Sequence, residues 1–206
     1  EAFEKGGGEV VEHLTLPFPN VEFQPLLTEI ASIKPDVVYT FFAGGGAVKF
    51  VQDYAAAGLK DQIPLVGAGF LTDGTLKAQG ESAQGLRTAL HYADGLDNDL
   101  DKQFREEYAE KYPDLPPDVY AVQGYDAAQM LAAGLEAVDG DISKKDQMRD
   151  AIRNATIKSP RGDFTISKAG NPVQDLYLRE VKGMDNVPVK IAVEDLADPA
   201  RGCKLM

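Results

Sequence analysis

Apolar and polar positions alternate between short runs of period two and longer runs of period near 3.6. Val10-Val11-Glu12-His13-Leu14-Thr15-Leu16 reads as a strand, broken by Pro17, Pro19 and Asn20. Phe23, Leu26, Leu27, Ile30 and Ile33 recur at helical spacing and predict an amphipathic helix that ends at Lys34-Pro35-Asp36. Val37 to Phe42 is a nearly continuous apolar run, the pattern of a strand buried on both faces of a parallel sheet. Ala43-Gly44-Gly45-Gly46 leads into a predicted helix from Ala47 to Ala57, closed by Gly58. Ile63 to Gly67 reads as the next strand, Leu71 to Gln79 as a short helix and Leu86 to Tyr92 as a fourth strand. This alternation indicates an α/β layer with right-handed crossovers and a mostly parallel sheet.

The pattern then changes. Leu100 to Tyr112 predicts a charged amphipathic helix that stops at Pro113, and Pro113, Pro116 and Pro117 form the best linker candidate. Val119 to Val138 is apolar nearly all round, with only Asp126 and Glu136 charged, so it predicts a helix buried on most sides. Lys144 to Asn154 predicts a helix with Met148, Ala151 and Ile152 inward. From Ser159 the period drops to two. Strands are expected at 164–166 and 176–181 around a turn at 168–172, with one more at 187–193. At the other end, Glu1 to Lys5 before Gly6-Gly7-Gly8 reads as the last turn of a helix, so the sequence is expected to be a piece of a longer chain.

Charge and composition narrow the chemistry. Among 206 residues, 33 acidic side chains outweigh 21 basic ones, a net charge of −12 that disfavours nucleic-acid and anionic-membrane binding. One cysteine, Cys203, excludes an internal disulfide, and two histidines, His13 and His91, argue against a multi-histidine metal site. No metal or cofactor is expected. No Gly-x-Ser-x-Gly elbow and no Gly-x-x-x-x-Gly-Lys-Ser/Thr loop is present, and no nucleophile, base or metal cluster marks an enzyme. Gly44-Gly45-Gly46 lies where a phosphate cradle would, but a Gly-x-Gly-x-x-Gly pattern started at Gly44 meets Lys49 at its third glycine. Two readings remain: a tight strand-to-helix turn, or a helix N-terminus offering N–H groups to a carboxylate. Gly67-Ala68-Gly69-Phe70 ends the next strand in the same way. Phe41, Phe42 and Phe70 therefore cluster at adjacent strand ends, as core or as a pocket for an apolar or aromatic ligand, and at most one of Phe41 and Phe42 reaches such a pocket. His91 beside Tyr92 reads as structural or as a site residue. Arg161-Gly162-Asp163 matches an adhesion tripeptide by chance, and Asn154-Ala155-Thr156 is a glycosylation acceptor only in a eukaryotic secretory setting.

Several stretches together carry a family resemblance: Phe23-Gln24-Pro25-Leu26-Leu27-Thr28-Glu29-Ile30, Lys34-Pro35-Asp36-Val37-Val38-Tyr39, Ala57-Gly58-Leu59, Tyr120-Ala121-Val122-Gln123-Gly124-Tyr125-Asp126-Ala127-Ala128 and Gly170-Asn171-Pro172. In this order they resemble the periplasmic solute-binding proteins of ABC importers, in the branched-chain amino-acid (Leu/Ile/Val-binding) family. The resemblance implies a type I periplasmic-binding-protein fold, α/β with a mostly parallel doubly wound sheet, in which two lobes joined by three crossovers hold ligand between them. It implies that residues 1–116 are most of the second lobe, 117–158 helices of a first lobe present only in part, and 159–206 the return to the second lobe.

By position, the resemblance maps ligand contacts to Phe42, Ala43 and Gly44, to Gly69 and Phe70, and to Tyr120 and Gln123. Amino-acid binders of the family carry an acidic residue at the Gly69 turn to pair the ligand ammonium. An unpaired buried ammonium is costly, so Gly69 speaks for an aromatic or apolar carboxylate instead. The implied partner is an ABC permease in the membrane, the implied compartment the periplasm or another extracytoplasmic site, and hinge closure around ligand the implied mechanism. The alternatives are a receptor's ligand-binding sensory domain of the same fold and an enzyme of flavodoxin-like fold. With first-lobe elements absent, residues 119–154 are expected to self-associate.

Overall fold

The computed structural model describes residues 2–17, 19 and 21–202; the expectations that involve Glu1, Asn20 and Cys203 lie outside the described residues. The chain divides into two compact units, residues 1–87 and 88–206.

The first unit opens with a short exposed helix α1, Ala2–Lys5. The strand expected at 10–16 does not form. Residues 8–17 have no regular structure, and Val10 and Val11 are exposed. Alternation suits a pleat, but a strand exists only where a neighbour takes its N–H and C=O groups. Helix α2, Gln24–Ile33, places Pro25 in its first turn, where a missing N–H costs nothing, and ends at Lys34 in the left-handed region with φ 54°. Strand β1, Val38–Thr40, pairs in parallel with β2, Leu65–Ala68, in the register Val38↔Leu65 to Thr40↔Gly67. β1 is shorter than its apolar run and is not buried on both faces. Thr40 is buried, whereas Tyr39 is 71% and Phe41 64% exposed.

Helix α3, Gly44–Ala56, begins three residues earlier than its periodicity predicts and buries Ala47, Phe50, Val51 and Tyr54 at i, i+3, i+4 and i+7. Burial pushes the Tyr54 phenol up to about 12 while its hydroxyl donates to Ile63 O at 3.0 Å. The single helix expected at 71–79 is instead a 3₁₀ turn at Gly69–Leu71, a one-turn helix α4 at Leu76–Gln79 and a second 3₁₀ turn at Gly80–Ala83. Side chains claim the carbonyls a longer helix would use: Thr75 Oγ1 and Gln79 Nε2 both donate to Leu71 O, at 3.2 and 2.8 Å.

The second unit opens within strand β3, Arg87–Leu90, at Thr88. Helix α5, Asp99–Lys111, is capped by Asn98, whose side chain accepts from Asp101 N. Helix α6, Val119–Ala137, is followed by α7, Lys145–Arg153, and the two pack closely at Gly134, where a Cβ would lie 2.6 Å from Ile152 Cγ1. α6 is not buried on most sides: Val119, Val122, Asp126 and Gly134 are buried, while Tyr120, Tyr125, Leu131 and Leu135 are exposed. Its alanines raise the apolar content without widening the packed face. Strands β4, Thr165–Ile166, β5, Pro172–Lys182, and β6, Asp185–Leu196, form an antiparallel ladder longer than the alternation predicts, with β5 also beside β3. Among the described residues no helix is long and apolar enough to cross a membrane.

Candidate functional site

In the first unit the candidate residues stand where β1 and β2 end. Pleat alternation turns Phe41 and Phe42 to opposite sides. The Phe41 ring is exposed and meets Phe70 edge-on, with centroids 6.2 Å apart. Phe42 packs into the core against Phe23 and Phe50, at 5.0 and 4.8 Å. The structure thus pairs Phe41 with Phe70 and gives Phe42 to the aromatic core. Ala43 is the extended N-cap of α3 and contributes no side-chain cap. Gly44 follows at φ 54°, a conformation L side chains rarely adopt, and a Cβ at Gly44, Gly45 or Gly46 would meet nothing within 4 Å. The first N–H groups of α3 therefore lie beside uncluttered space, the arrangement that suits an anion.

Gly69 is buried at the end of β2, and its carbonyl accepts from Thr72 N and Asp73 N at 3.0 and 3.1 Å. It brings no charge to the turn. Asp73, the turn's acidic residue, is itself buried. Gly67 has a role that sequence reading did not assign: a Cβ there would fall 2.8 Å from Thr40 O and 2.9 Å from Leu71 Cδ2. Only glycine lets β1 and β2 run this close.

The second unit carries Tyr120 and Gln123, one turn apart on α6. Asp118 fixes the start of that helix by accepting from Tyr120 N and Ala121 N at 3.0 and 3.1 Å. Both side chains are exposed. Gln123 Nε2 lies 3.1 Å from His91 Nε2. Burial first, then the charges of Arg161 and Arg179, lower the His91 pKa to about 4, so the imidazole is neutral near pH 7.

Both arginines are buried. Arg179 donates to Thr88 Oγ1 at 2.9 Å and to Tyr92 O at 3.0 Å. Arg161 Nε donates to Asp126 Oδ2 at 2.8 Å, and its guanidinium also bonds Gln174 and lies 3.9 Å from the Phe164 ring centre. An adhesion role for Arg161-Gly162-Asp163 is therefore excluded, because its arginine is committed to the interior. No motif spacing links positions 126 and 161, which is why sequence reading missed the pair. Near the start of α6, Arg105 bonds Asp94, Asp185 and the Pro117 carbonyl at 3.1, 3.2 and 3.3 Å, anchoring the segment that leads into the helix. Among the described residues no group of three or more His, Cys, Asp or Glu could hold a metal ion.

Both units mix helices with strands, and the candidate residues of the first stand at strand ends beside the uncapped start of α3. The periplasmic binding protein family model matches residues 1–186, and the chain belongs to that family. It is 33% identical over 193 residues to "Leu/Ile/Val-binding protein homolog 6" of Brucella melitensis, covering 90% of this chain and 48% of the relative. The chain thus spans about half the length of the curated relatives it matches. A solute-binding protein of an ABC transporter from R. palustris, solved in complex with benzoate, is 52% identical with a TM-score of 0.93, over 99% of this chain and 56% of that one. Another from Rhodopseudomonas palustris BisB5, solved with 3,4-dihydroxybenzoic acid, is 29% identical with a TM-score of 0.86, over 96% and 56%. A leucine-binding protein from Thermotoga maritima, 22% identical with a TM-score of 0.75 over 88% and 51%, shares the fold. The expected type I architecture is borne out. None of these likenesses supports self-association through residues 119–154.

Proposed function

We propose that the protein is the extracytoplasmic solute-binding component of an ABC transporter and that its solute is a small aromatic carboxylate. The observation that carries this reading is the strand-end site of the first unit. An aromatic pair, the exposed Phe41 and the half-buried Phe70, stands at strand ends whose turn offers Gly69 where an ammonium would need an acid. The bare N-terminus of α3 supplies donors suited to an anion. The benzoate and dihydroxybenzoate held by two related proteins support the same ligand class.

In this reading Phe41, Ala43, Gly44, Gly69 and Phe70 are the ligand contacts of the first unit, with Phe42 backing them, and Tyr120 and Gln123 are those of the second. Residues 1–116 and 159–206 belong to one lobe and 117–158 to the other, and ligand stabilises the closed arrangement by contacts that only closure provides. The partner that receives the solute is a membrane permease.

The test is a thermal-shift panel on the full-length protein with benzoate, hydroxybenzoates, aliphatic acids, leucine and valine. At about 100 times its dissociation constant a ligand stabilises by about 2.7 kcal/mol. The reading predicts shifts with aromatic acids and none with leucine or valine. Shifts with leucine or valine alone would overturn it and turn attention to Asp73 as the ammonium's partner.

A further inference from the structure

The turn that follows β2 is a buried frame with one side chain set outward. Gly69, Leu71, Thr72 and Asp73 are all buried, and Phe70 among them is only half-buried. The carbonyls on either side of Phe70 are both held. Gly69 O accepts from Thr72 N, Asp73 N and Thr72 Oγ1, at 3.0, 3.1 and 3.3 Å. Leu71 O accepts from Thr75 Oγ1 at 3.2 Å and from Gln79 Nε2 at 2.8 Å. A carbonyl only accepts, so the amide nitrogen of Gln79 is the atom that faces it. The Leu71 side chain is pinned as well, against Gly67, where a Cβ would lie 2.9 Å from Leu71 Cδ2.

Gln79 is an expensive residue for this place. It is 3% exposed, and its Oε1 has no partner among the described residues. A buried amide satisfied at one end only is a worse core group than an apolar side chain of its size. What it does provide is the bond to the turn. The residue before it is tied back to α3, because Gln52 Nε2 donates to Ala78 O at 2.8 Å. The helix whose N-terminus faces open space and the turn that carries Phe70 therefore belong to one frame.

We infer that Thr75 and Gln79 are positioning residues for the ligand: by holding the Leu71 carbonyl they fix Phe70, and with it the preference for a flat aromatic ring. This rests on the aromatic-carboxylate reading above and adds two residues that it did not contain. A ring wall already fixed in the folded protein is not ordered again on binding, so its ordering cost does not reduce affinity. A fixed wall also discriminates by shape, because a puckered ring cannot lie against it as closely as a flat one.

The experiment uses the full-length protein, with benzoate and cyclohexanecarboxylate as probes and calorimetry as the readout. Gln79→Met and Thr75→Val each remove a donor at nearly constant volume. Each is expected to weaken benzoate about fivefold and cyclohexanecarboxylate less than about twofold, while Thr75→Ser, which keeps the hydroxyl, stays near the parent protein. In a Phe70→Ala background, Gln79→Met should weaken benzoate no further, since its effect passes through that ring. A purely structural role would lower Tm in both backgrounds and leave the ratio of the two affinities unchanged. If Gln79→Met does not fold, Thr75→Val decides. If benzoate binds the parent protein but the folded variants keep its ratio to cyclohexanecarboxylate, or Gln79→Met weakens benzoate equally with and without Phe70, the inference is wrong and the aromatic-acid reading stands. If no aromatic carboxylate binds the parent protein, the reading fails and the inference fails with it.

Discussion

Replacing Arg161 by Met tests the buried polar cluster that ties α6 to β5. Asp126 is buried, and its Oδ2 receives Arg161 Nε at 2.8 Å and Ser159 Oγ at 3.0 Å, while Oδ1 has no partner among the described residues. Arg161→Met leaves that carboxylate with a single neutral donor. Removing one partner of a buried ion pair costs about 3–5 kcal/mol. For a chain of this size that corresponds to a fall in Tm of roughly 10 °C. Burial already holds the Asp126 carboxyl above the usual range, and losing Arg161 raises it further. The folded variant then binds a proton that the unfolded chain has released, so its stability falls as pH rises from about 4 toward the folded pKa. The variant should therefore be more stable, relative to the parent, at pH 5 than at pH 8. Asp126→Leu combined with Arg161→Met should recover most of the loss, since a well-packed apolar pair replaces a buried ionic one at little cost. Urea denaturation followed by circular dichroism at both pH values measures each term. A single variant within about 1 kcal/mol of the parent at both pH values, or a double variant worse than the single, would refute the reasoning.

Three further outcomes are expected. Gly134→Ala should destabilise by about 1–2 kcal/mol, because overpacking against Ile152 exceeds the helix-propensity gain, and Ile152→Ala, which removes the clashing Cγ1, should make the added methyl better tolerated; a thermal melt showing stabilisation contradicts the tight α6–α7 contact. Asp118→Ala should cost about 1 kcal/mol in chemical denaturation and loosen the turn that carries Tyr120, visible as faster amide exchange at Tyr120 and Ala121. His91 has a folded pKa lowered to about 4 from 6.5, so the unfolded state takes up its proton first as pH falls. Its contribution is present above about 6.5 and is lost as pH falls through that range, about 2 kcal/mol between pH 7 and pH 5. Comparing denaturation of the parent and His91→Gln at these pH values should show the slope flattened in the variant.

The helices were legible wherever an apolar stripe had a matching stop signal. α2, α5, α6 and α7 fall within a residue or two of their expected ends, because 3.6-residue periodicity and flanking Pro, Asn or Asp are local features. The strand at 10–16 failed for the opposite reason: pairing depends on a distant neighbour that no local pattern reveals. At the site, alternation required Phe41 and Phe42 to diverge but could not say which one the core would take; Phe23 and Phe50 decide that. The Asp126–Arg161 pair and the His91–Gln123 contact join residues 35 and 32 positions apart, so their partnership exists only in the fold. That position 69 itself carries no charge, by contrast, was visible at once, since it is a property of the sequence, whereas the burial of Asp73 in the same turn is seen only in the fold.

The claim that most needs testing is the choice of an aromatic carboxylate over an amino acid. The direct measurement is calorimetric titration of the full-length protein with benzoate, repeated in the presence of saturating leucine. The account predicts one-to-one benzoate binding that leucine leaves unchanged and that Phe41→Ala or Phe70→Ala weakens by about 1 kcal/mol or more, the scale of an aromatic contact. Leucine binding with no heat from benzoate would contradict it.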